Sequence, residues 1–129
     1  MLVVAAAIRE SGGRWLLQKR PAGKHHAGLW EFPGGKVDRG EGPRAALVRE
    51  VTEELGLALD AATMQPLGFA DEPAGEGRPP LVLLLFAATV LQGEPVGREG
   101  QVWGWFTRAE VAGLPLAPLD RALLACLPG

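Results

Sequence analysis

Glu50, Glu53 and Glu54 stand at i, i+3 and i+4 in the stretch Arg49-Glu50-Val51-Thr52-Glu53-Glu54-Leu55-Gly56-Leu57. On a helix that spacing puts three carboxylates on one face. Like charges so close repel, and Glu53 and Glu54 fall in the last turn, where the helix macrodipole disfavours acids. A divalent cation would offset both costs, because hard cations such as Mg2+ take oxygen ligands. A carboxylate cluster holding Mg2+ or Mn2+ suits hydrolysis of a phosphoanhydride: the cation neutralises phosphate oxygens, aligns the leaving group and lowers the pKa of a bound water. The other reading is a solvated acidic face. A local rule broken at the helix end favours a site. The chain has no Gly-rich Walker loop, so P-loop chemistry is excluded.

The helix that must carry these acids is legible around them. Pro43 suits a first helical position, where a missing N–H costs nothing. Leu47, Val51 and Leu55 recur at i, i+4 and i+8 and form an apolar stripe that packs on a core. Gly56 is positioned to end the helix. At about 100° per residue, the acidic face lies beside that stripe, so the acids sit at the edge of the buried surface and look into a groove.

Before this helix, Leu2–Arg9 and Trp15–Arg20 read as strands, with Ser11-Gly12-Gly13 as the hairpin turn between them. A loop from Gly23 to Gly28 contains His25 and His26; two adjacent histidines do not make a ligand set. Short strands Trp30–Phe32 and Lys36–Val37 flank Pro33-Gly34-Gly35, which reads as a turn. After the helix come strands near Met64–Ala70, over Leu81–Leu91 and over Val102–Phe106, with Asp71–Pro80 read from composition as a mobile loop. Thr107-Arg108-Ala109-Glu110 has the spacing of a capping box, and a last helix runs from Leu119 to Leu127. The order is α/β. Trp30, Trp103 and Trp105 are expected to be core residues in at least two cases.

The chain of 129 residues is expected to fold as one domain, 1–129. With 13 Lys+Arg against 15 Asp+Glu the net charge is -2, so no basic field draws duplex nucleic acid. Leu2–Ile8 lacks a basic n-region, and the eight apolar residues Leu81–Ala88 are too few to span a bilayer, so both read as buried strands and no membrane partner is expected. The single cysteine, Cys126, has no internal disulfide partner; it fits a reducing, cytoplasmic compartment and an apolar helix face.

Read as a whole, the stretch is Gly35, five residues, Glu41, seven residues, then Arg49-Glu50-Val51-x-Glu53-Glu54-x-Gly56-Leu57. Chance would produce it on the order of once in ten million such chains. This pattern is the Nudix box, and the chain resembles the Nudix hydrolase family, especially its MutT-type branch. The flanks LLQKRPAGKHHAGLWEFPGGKV, GEPVGREGQVWGWFT and LPLAPLDRALLACL carry the resemblance over nearly the whole chain. It implies an α/β/α sandwich around a mixed central sheet. It also implies that Glu50, Glu53 and Glu54 ligate the metal, that the Gly34 carbonyl is a backbone ligand, and that Arg49 orients the carboxylates. Arg49 can equally pair with Glu53 at i,i+4. Glu41 is read mainly as a brace of the loop–helix junction, and Lys36 as a phosphate contact or a solvated side chain. In MutT-type enzymes a Glu in the loop matched by Gly97-Arg98-Glu99-Gly100-Gln101 binds metal or acts as general base, which falls here on Glu99.

The resemblance places Arg20 and Phe32 in the nucleoside pocket. Asp120 aligns with the MutT asparagine that reads 8-oxoguanine, and this is the clearest departure. An amide donates and accepts, whereas an ionised carboxylate only accepts. Asp120 would suit bases presenting N–H donors, or would cap the last helix instead. The implied reaction is water attack at the β-phosphorus of a nucleoside triphosphate, giving monophosphate and pyrophosphate, with 8-oxo-dGTP as the leading substrate. A (deoxy)cytidine triphosphate pyrophosphatase is the first alternative, since LAP-x-D and AGLWEF are similar to the relative that cleaves cytidine triphosphates. ADP-sugar hydrolysis rests only on Pro73. A non-catalytic MutT-like nucleotide-binding domain is the alternative of another class, opposed by the three retained acids. The partner expected is a small nucleotide and the state a monomer, with a dimer open.

Overall fold

The computed structural model describes residues 1–24 and 26–129; the His25 reading lies outside the described residues. A four-stranded mixed sheet is central. Strand β1 (Leu2–Ile8) pairs in parallel with β7 (Leu81–Ala88) and antiparallel with β4 (Gly34–Lys36), while β6 (Gln65–Glu72) pairs antiparallel with β7, giving the order β4-β1-β7-β6. A second, antiparallel sheet has the order β3-β2-β9, from β3 (Trp30–Glu31), β2 (Trp15–Lys19) and β9 (Val102–Phe106). Strands β5 (Ala58–Leu59) and β8 (Val90–Gln92) form a small pair of their own.

Strand β1 is a near-continuous apolar run because both of its faces are covered. Val4, Ala6 and Ile8 face a core completed by Ala46, Leu47, Val51 and Leu55 of helix α1 (Pro43–Leu55). Ala5 and Ala7 face the opposite core, completed by Val111 of α2 (Arg108–Gly113) and Leu123 of α3 (Pro118–Leu123). The layers are therefore helix, sheet and helix, as expected. The stripe Leu47, Val51 and Leu55 is fully buried, at about 2 kcal/mol for each side chain.

Local signals behaved as their chemistry requires at three helix ends. Pro43 opens α1, Gly56 closes it in the left-handed region at φ 69°, and Thr107 and Glu110 form the reciprocal capping box of α2. Elsewhere the structure corrects the sequence reading. The Ser11-Gly12-Gly13 turn is tight, with Gly13 N–H donating to Glu10 O at 2.9 Å, but β1 and β2 part into different sheets after the single bridge Arg9–Trp15. Gly34 and Gly35 are strand, not turn, because they pair with Ala5 and Val4. The expected loop 71–80 loses Asp71 and Glu72 to β6 and closes through a Gly75–Arg78 bridge. Leu81–Leu91 breaks at Thr89, whose carbonyl accepts from Asp60 N–H at 2.9 Å. The last helix ends at Leu123 and tightens to a 3-10 turn over Leu124–Cys126.

Trp30, Trp103 and Trp105 are half-buried and pack on the flanks of the two cores; the fully enclosed tryptophan is Trp15. Cys126 is half-buried against the α3-side core, consistent with packing. Among the described residues, no helix is long and apolar enough to cross a membrane.

Candidate active site

Helix α1 lies over β4, and the absence of a side chain at Gly35 brings the two together. A Cβ at Gly35 would overlap the Glu50 carboxyl, and one at Gly34 would overlap the β1 backbone at Val4. The double glycine thus lets β4 pair with β1 on one side and receive the acidic face of α1 on the other.

Arg49 organises that face. Its Nε and Nη2 grip Glu41 at 2.8 and 2.9 Å, Nη1 reaches Glu50 at 3.0 Å and Glu53 at 3.3 Å, and Nη2 also donates to the Lys36 carbonyl at 3.0 Å. Only the planar guanidinium fork can serve so many acceptors at once. Glu41 also accepts from Asp38 N–H at 3.0 Å, so it braces the loop before the helix. The Arg49 hydrogen bonds hold the Glu41 carboxyl well below its usual range, at about 2.

Glu54 has the opposite surroundings. Burial pushes its carboxyl up to about 8, against a lowering contact from Gln18, with Glu31, Glu50 and Glu99 adding repulsion. Its Oε2 accepts from Gln18 Nε2 at 3.0 Å, but its Oε1 is buried without a partner. Burial raises Glu50 as well, in spite of Arg49. Glu53 is the exposed member of the three.

Glu99 reaches the same cleft from the loop before β9. That loop is tied to the end of α1: Val96 N–H donates to Leu55 O and Arg98 N–H to Glu54 O, both at 2.9 Å. Arg98 Nη1 adds a 3.4 Å contact to Thr52 O. The two main-chain donors serve carbonyls that a helix C-terminus leaves without partners, and Arg98 places a cation at the negative end of the dipole. Gln101, largely buried, fixes Glu99 by accepting from its N–H at 2.9 Å and donating to its carboxylate at 3.3 Å.

The opposite end of the cleft is built where β3 meets the segment entering α3. Trp30 N–H donates to Pro115 O at 2.8 Å, and Ala117 N–H donates to Trp30 O at 2.9 Å. This seats Asp120 against Phe32, whose N–H donates to Asp120 Oδ1 at 2.9 Å. Asp120 does not cap α3: Ala117 holds that position without a side-chain bond, and Asp120 lies inside the first turn. The cap reading fails because Asp120 lies past the cap position and turns its carboxyl to Phe32 N–H. Asp120 is 5% exposed, and burial pushes its carboxyl up to about 7. Arg20 donates to Glu31 Oε1 at 2.8 Å beside it.

One cleft of about 720 Å³ joins the two ends. Gly34, Lys36, Glu50, Glu53, Glu54 and Glu99 line it, as do Arg20, Phe32 and Asp120. Arg49 stands behind the acids and is not part of the lining. The volume falls in the range of small-molecule sites. The structure adds Gln18, Glu31 and Gln101 to the lining, none of which the sequence reading singled out. Gln18 had a visible signal, a polar side chain in the otherwise apolar run Trp15-Leu16-Leu17.

The donors along α1 are hard carboxylate oxygens, and the orphaned Glu54 Oε1 is a buried acceptor in need of a cation or a proton. That chemistry fits Mg2+ or Mn2+. Among the described residues, no three acidic, histidine or cysteine side chains already form a finished metal shell.

An α/β/α frame with a cleft lined by acids at one end has known counterparts. The NUDIX domain model matches residues 1–126, and the chain belongs to the Nudix hydrolase family. Members of this family generally depend on a divalent metal. The chain is 41% identical over 126 residues to the CTP pyrophosphohydrolase of Escherichia coli, covering 96% of this chain and 89% of that one. It is also 41% identical over 125 residues to the 8-oxo-dGTP diphosphatase of Haemophilus influenzae, covering 95% and 87%. A MutT Nudix hydrolase from Burkholderia pseudomallei superposes with a TM-score of 0.85 at 32% identity, covering 98% of this chain and 97% of that one. The chain is thus a Nudix hydrolase, which sets aside the non-catalytic alternative.

Proposed function

We propose that the protein is a Mg2+-dependent nucleoside triphosphate pyrophosphohydrolase, with Mn2+ able to substitute, that clears 8-oxo-dGTP from the nucleotide pool. The observation that carries this reading is the partnerless, buried Oε1 of Glu54 in a cleft it shares with Glu50, Glu53 and Glu99. Glu50, Glu53, Glu54 and Glu99, with the Gly34 carbonyl, would hold the metal, which supplies charge neutralisation and an activated water. Arg49 holds Glu50 and Glu53 in place. Lys36, exposed at the cleft, meets phosphate oxygens. Glu99 has a second role open to it, that of the base taking a proton from the attacking water. Attack at the β-phosphorus breaks the anhydride and releases monophosphate and pyrophosphate.

Arg20, Phe32 and Asp120 form the base end. Asp120 has one oxygen committed to Phe32 N–H, so its other oxygen is the one offered to a base. The relative named CTP pyrophosphohydrolase, with identity equal to that of the 8-oxo-dGTP diphosphatase, favours (deoxy)cytidine triphosphates as the second reading. An ionised Asp120 would accept from the cytosine amine. The whole chain, 1–129, is read as one domain that works as a cytoplasmic monomer on a small nucleotide, with no nucleic-acid or membrane partner.

The test is a comparison of kcat/KM for 8-oxo-dGTP, dGTP, dCTP, 5-methyl-dCTP and ADP-ribose at low substrate concentration. The lead reading expects 8-oxo-dGTP to exceed dGTP and dCTP by at least about tenfold, the scale of one well-made polar contact. Preference for dCTP or 5-methyl-dCTP would select the second reading, and turnover of ADP-ribose alone would reject both.

A further inference from the structure

Gln18 is 1% exposed in β2, in a row where its neighbours Leu16 and Leu17 are apolar. Its Nε2 donates to Glu54 Oε2 at 3.0 Å and to Glu31 Oε2 at 3.3 Å. Glu31 Oε1 in turn accepts from Arg20 Nη1 at 2.8 Å. The chain Arg20–Glu31–Gln18–Glu54 therefore runs without a break from the base end of the cleft to its acidic end. The NH2 end of the amide faces both carboxyl groups, as two ionised carboxylates require. In that orientation Gln18 Oε1 is buried without a partner, a cost that an apolar residue at this position would not carry. The amide is explained by what its two N–H groups hold.

We propose that Gln18 is a positioning residue that fixes Glu54 relative to the Arg20–Glu31 pair, so that the seats of metal and base keep one mutual placement. This role rests on the pyrophosphohydrolase reading. Three elements meet in it: β2 brings Gln18, β3 brings Glu31 as its cross-strand partner, and α1 brings Glu54. A residue that only filled the core would need no donor and would touch neither acid.

The test uses Gln18→Met, which keeps length and loses both donors, with Gln18→Leu as a second variant, Glu31→Gln, and the double variant Gln18→Met/Glu31→Gln. Mn2+ affinity is titrated without nucleotide, melting temperature is measured without metal, and kcat and KM are measured on the best triphosphate. Gln18→Met should weaken Mn2+ binding and lower kcat by about tenfold or more, as loss of a ligand-orienting contact does, while KM and melting temperature stay near wild type. The double variant should be no worse than Gln18→Met, because the chain is already cut. Mn2+ affinity within about twofold of wild type in both Gln18 variants, or effects of Gln18 and Glu31 that multiply, would overturn the proposal. A wild type that binds Mn2+ but hydrolyses no nucleotide would reject the hydrolysis reading instead, and the Mn2+ titration would still decide the role of Gln18. A wild type that binds no Mn2+ would reject both.

Discussion

The main-chain N–H of Arg98 donates to the carbonyl of Glu54 at 2.9 Å, one residue before Glu99. The loop that carries the fourth acid is therefore fastened to the helix that carries the other three. A Cβ at Gly97 would overlap the Gln101 carbonyl inside this loop. Gly97→Ala should open the turn and lower kcat by roughly tenfold or more, the scale of a small misplacement at a reacting centre. Glu99→Gln should do the same with the fold intact. Near-wild-type turnover in Glu99→Gln would remove that side chain from the mechanism.

Gly35 makes a second, independent prediction. Because its missing Cβ leaves room for the Glu50 carboxyl, Gly35→Ala should displace Glu50 without unfolding the chain. Mn2+ affinity and kcat should fall by about tenfold or more, while circular dichroism remains that of the wild type. Unchanged Mn2+ binding would show that the Glu50 position does not matter.

Arg49→Lys replaces a fork that serves Glu41, Glu50 and Glu53 with a single point charge. The expected outcome is a lower melting temperature together with at least about tenfold lower kcat. Thermal unfolding and steady-state assays on the same sample would show whether the two effects travel together, as one shared hub requires.

Asp120 sets a pH dependence whose sign follows from its burial. Its carboxyl titrates at about 7 in the folded protein and near 3.9 when unfolded. Between those values the folded state binds more protons, so this contribution to stability is full below about 4 and is lost as pH rises through 7. The loss is on the order of a few kcal/mol. Asp120→Asn keeps an acceptor for Phe32 N–H and does not titrate, so without added metal its melting temperature should fall less than that of the wild type from pH 6 to pH 8. Equal slopes would contradict a protonated Asp120.

Much of the acidic end was legible because helix chemistry is local. The stripe Leu47, Val51 and Leu55, the Pro43 start and the Gly56 stop fix which way Glu50, Glu53 and Glu54 face. The rest depends on contacts distant in sequence. Gln18 reads as an ordinary polar residue until α1 brings Glu54 to it from 36 positions away. Asp120 looks like a helix cap until Phe32, 88 positions earlier, offers its N–H. Gly34 and Gly35 look like a turn because glycine is common in turns, yet close approach of backbone and carboxylate is what they serve here.

The most direct test of the account is the identity of the products formed from 8-oxo-dGTP with Mg2+, separated by anion exchange. The prediction is 8-oxo-dGMP and pyrophosphate in equal amounts, with formation stopped by a chelator and lowered about a hundredfold or more in Glu53→Gln, as expected for loss of a metal-holding carboxylate. Release of inorganic phosphate, or turnover that survives both the chelator and Glu53→Gln, would contradict it.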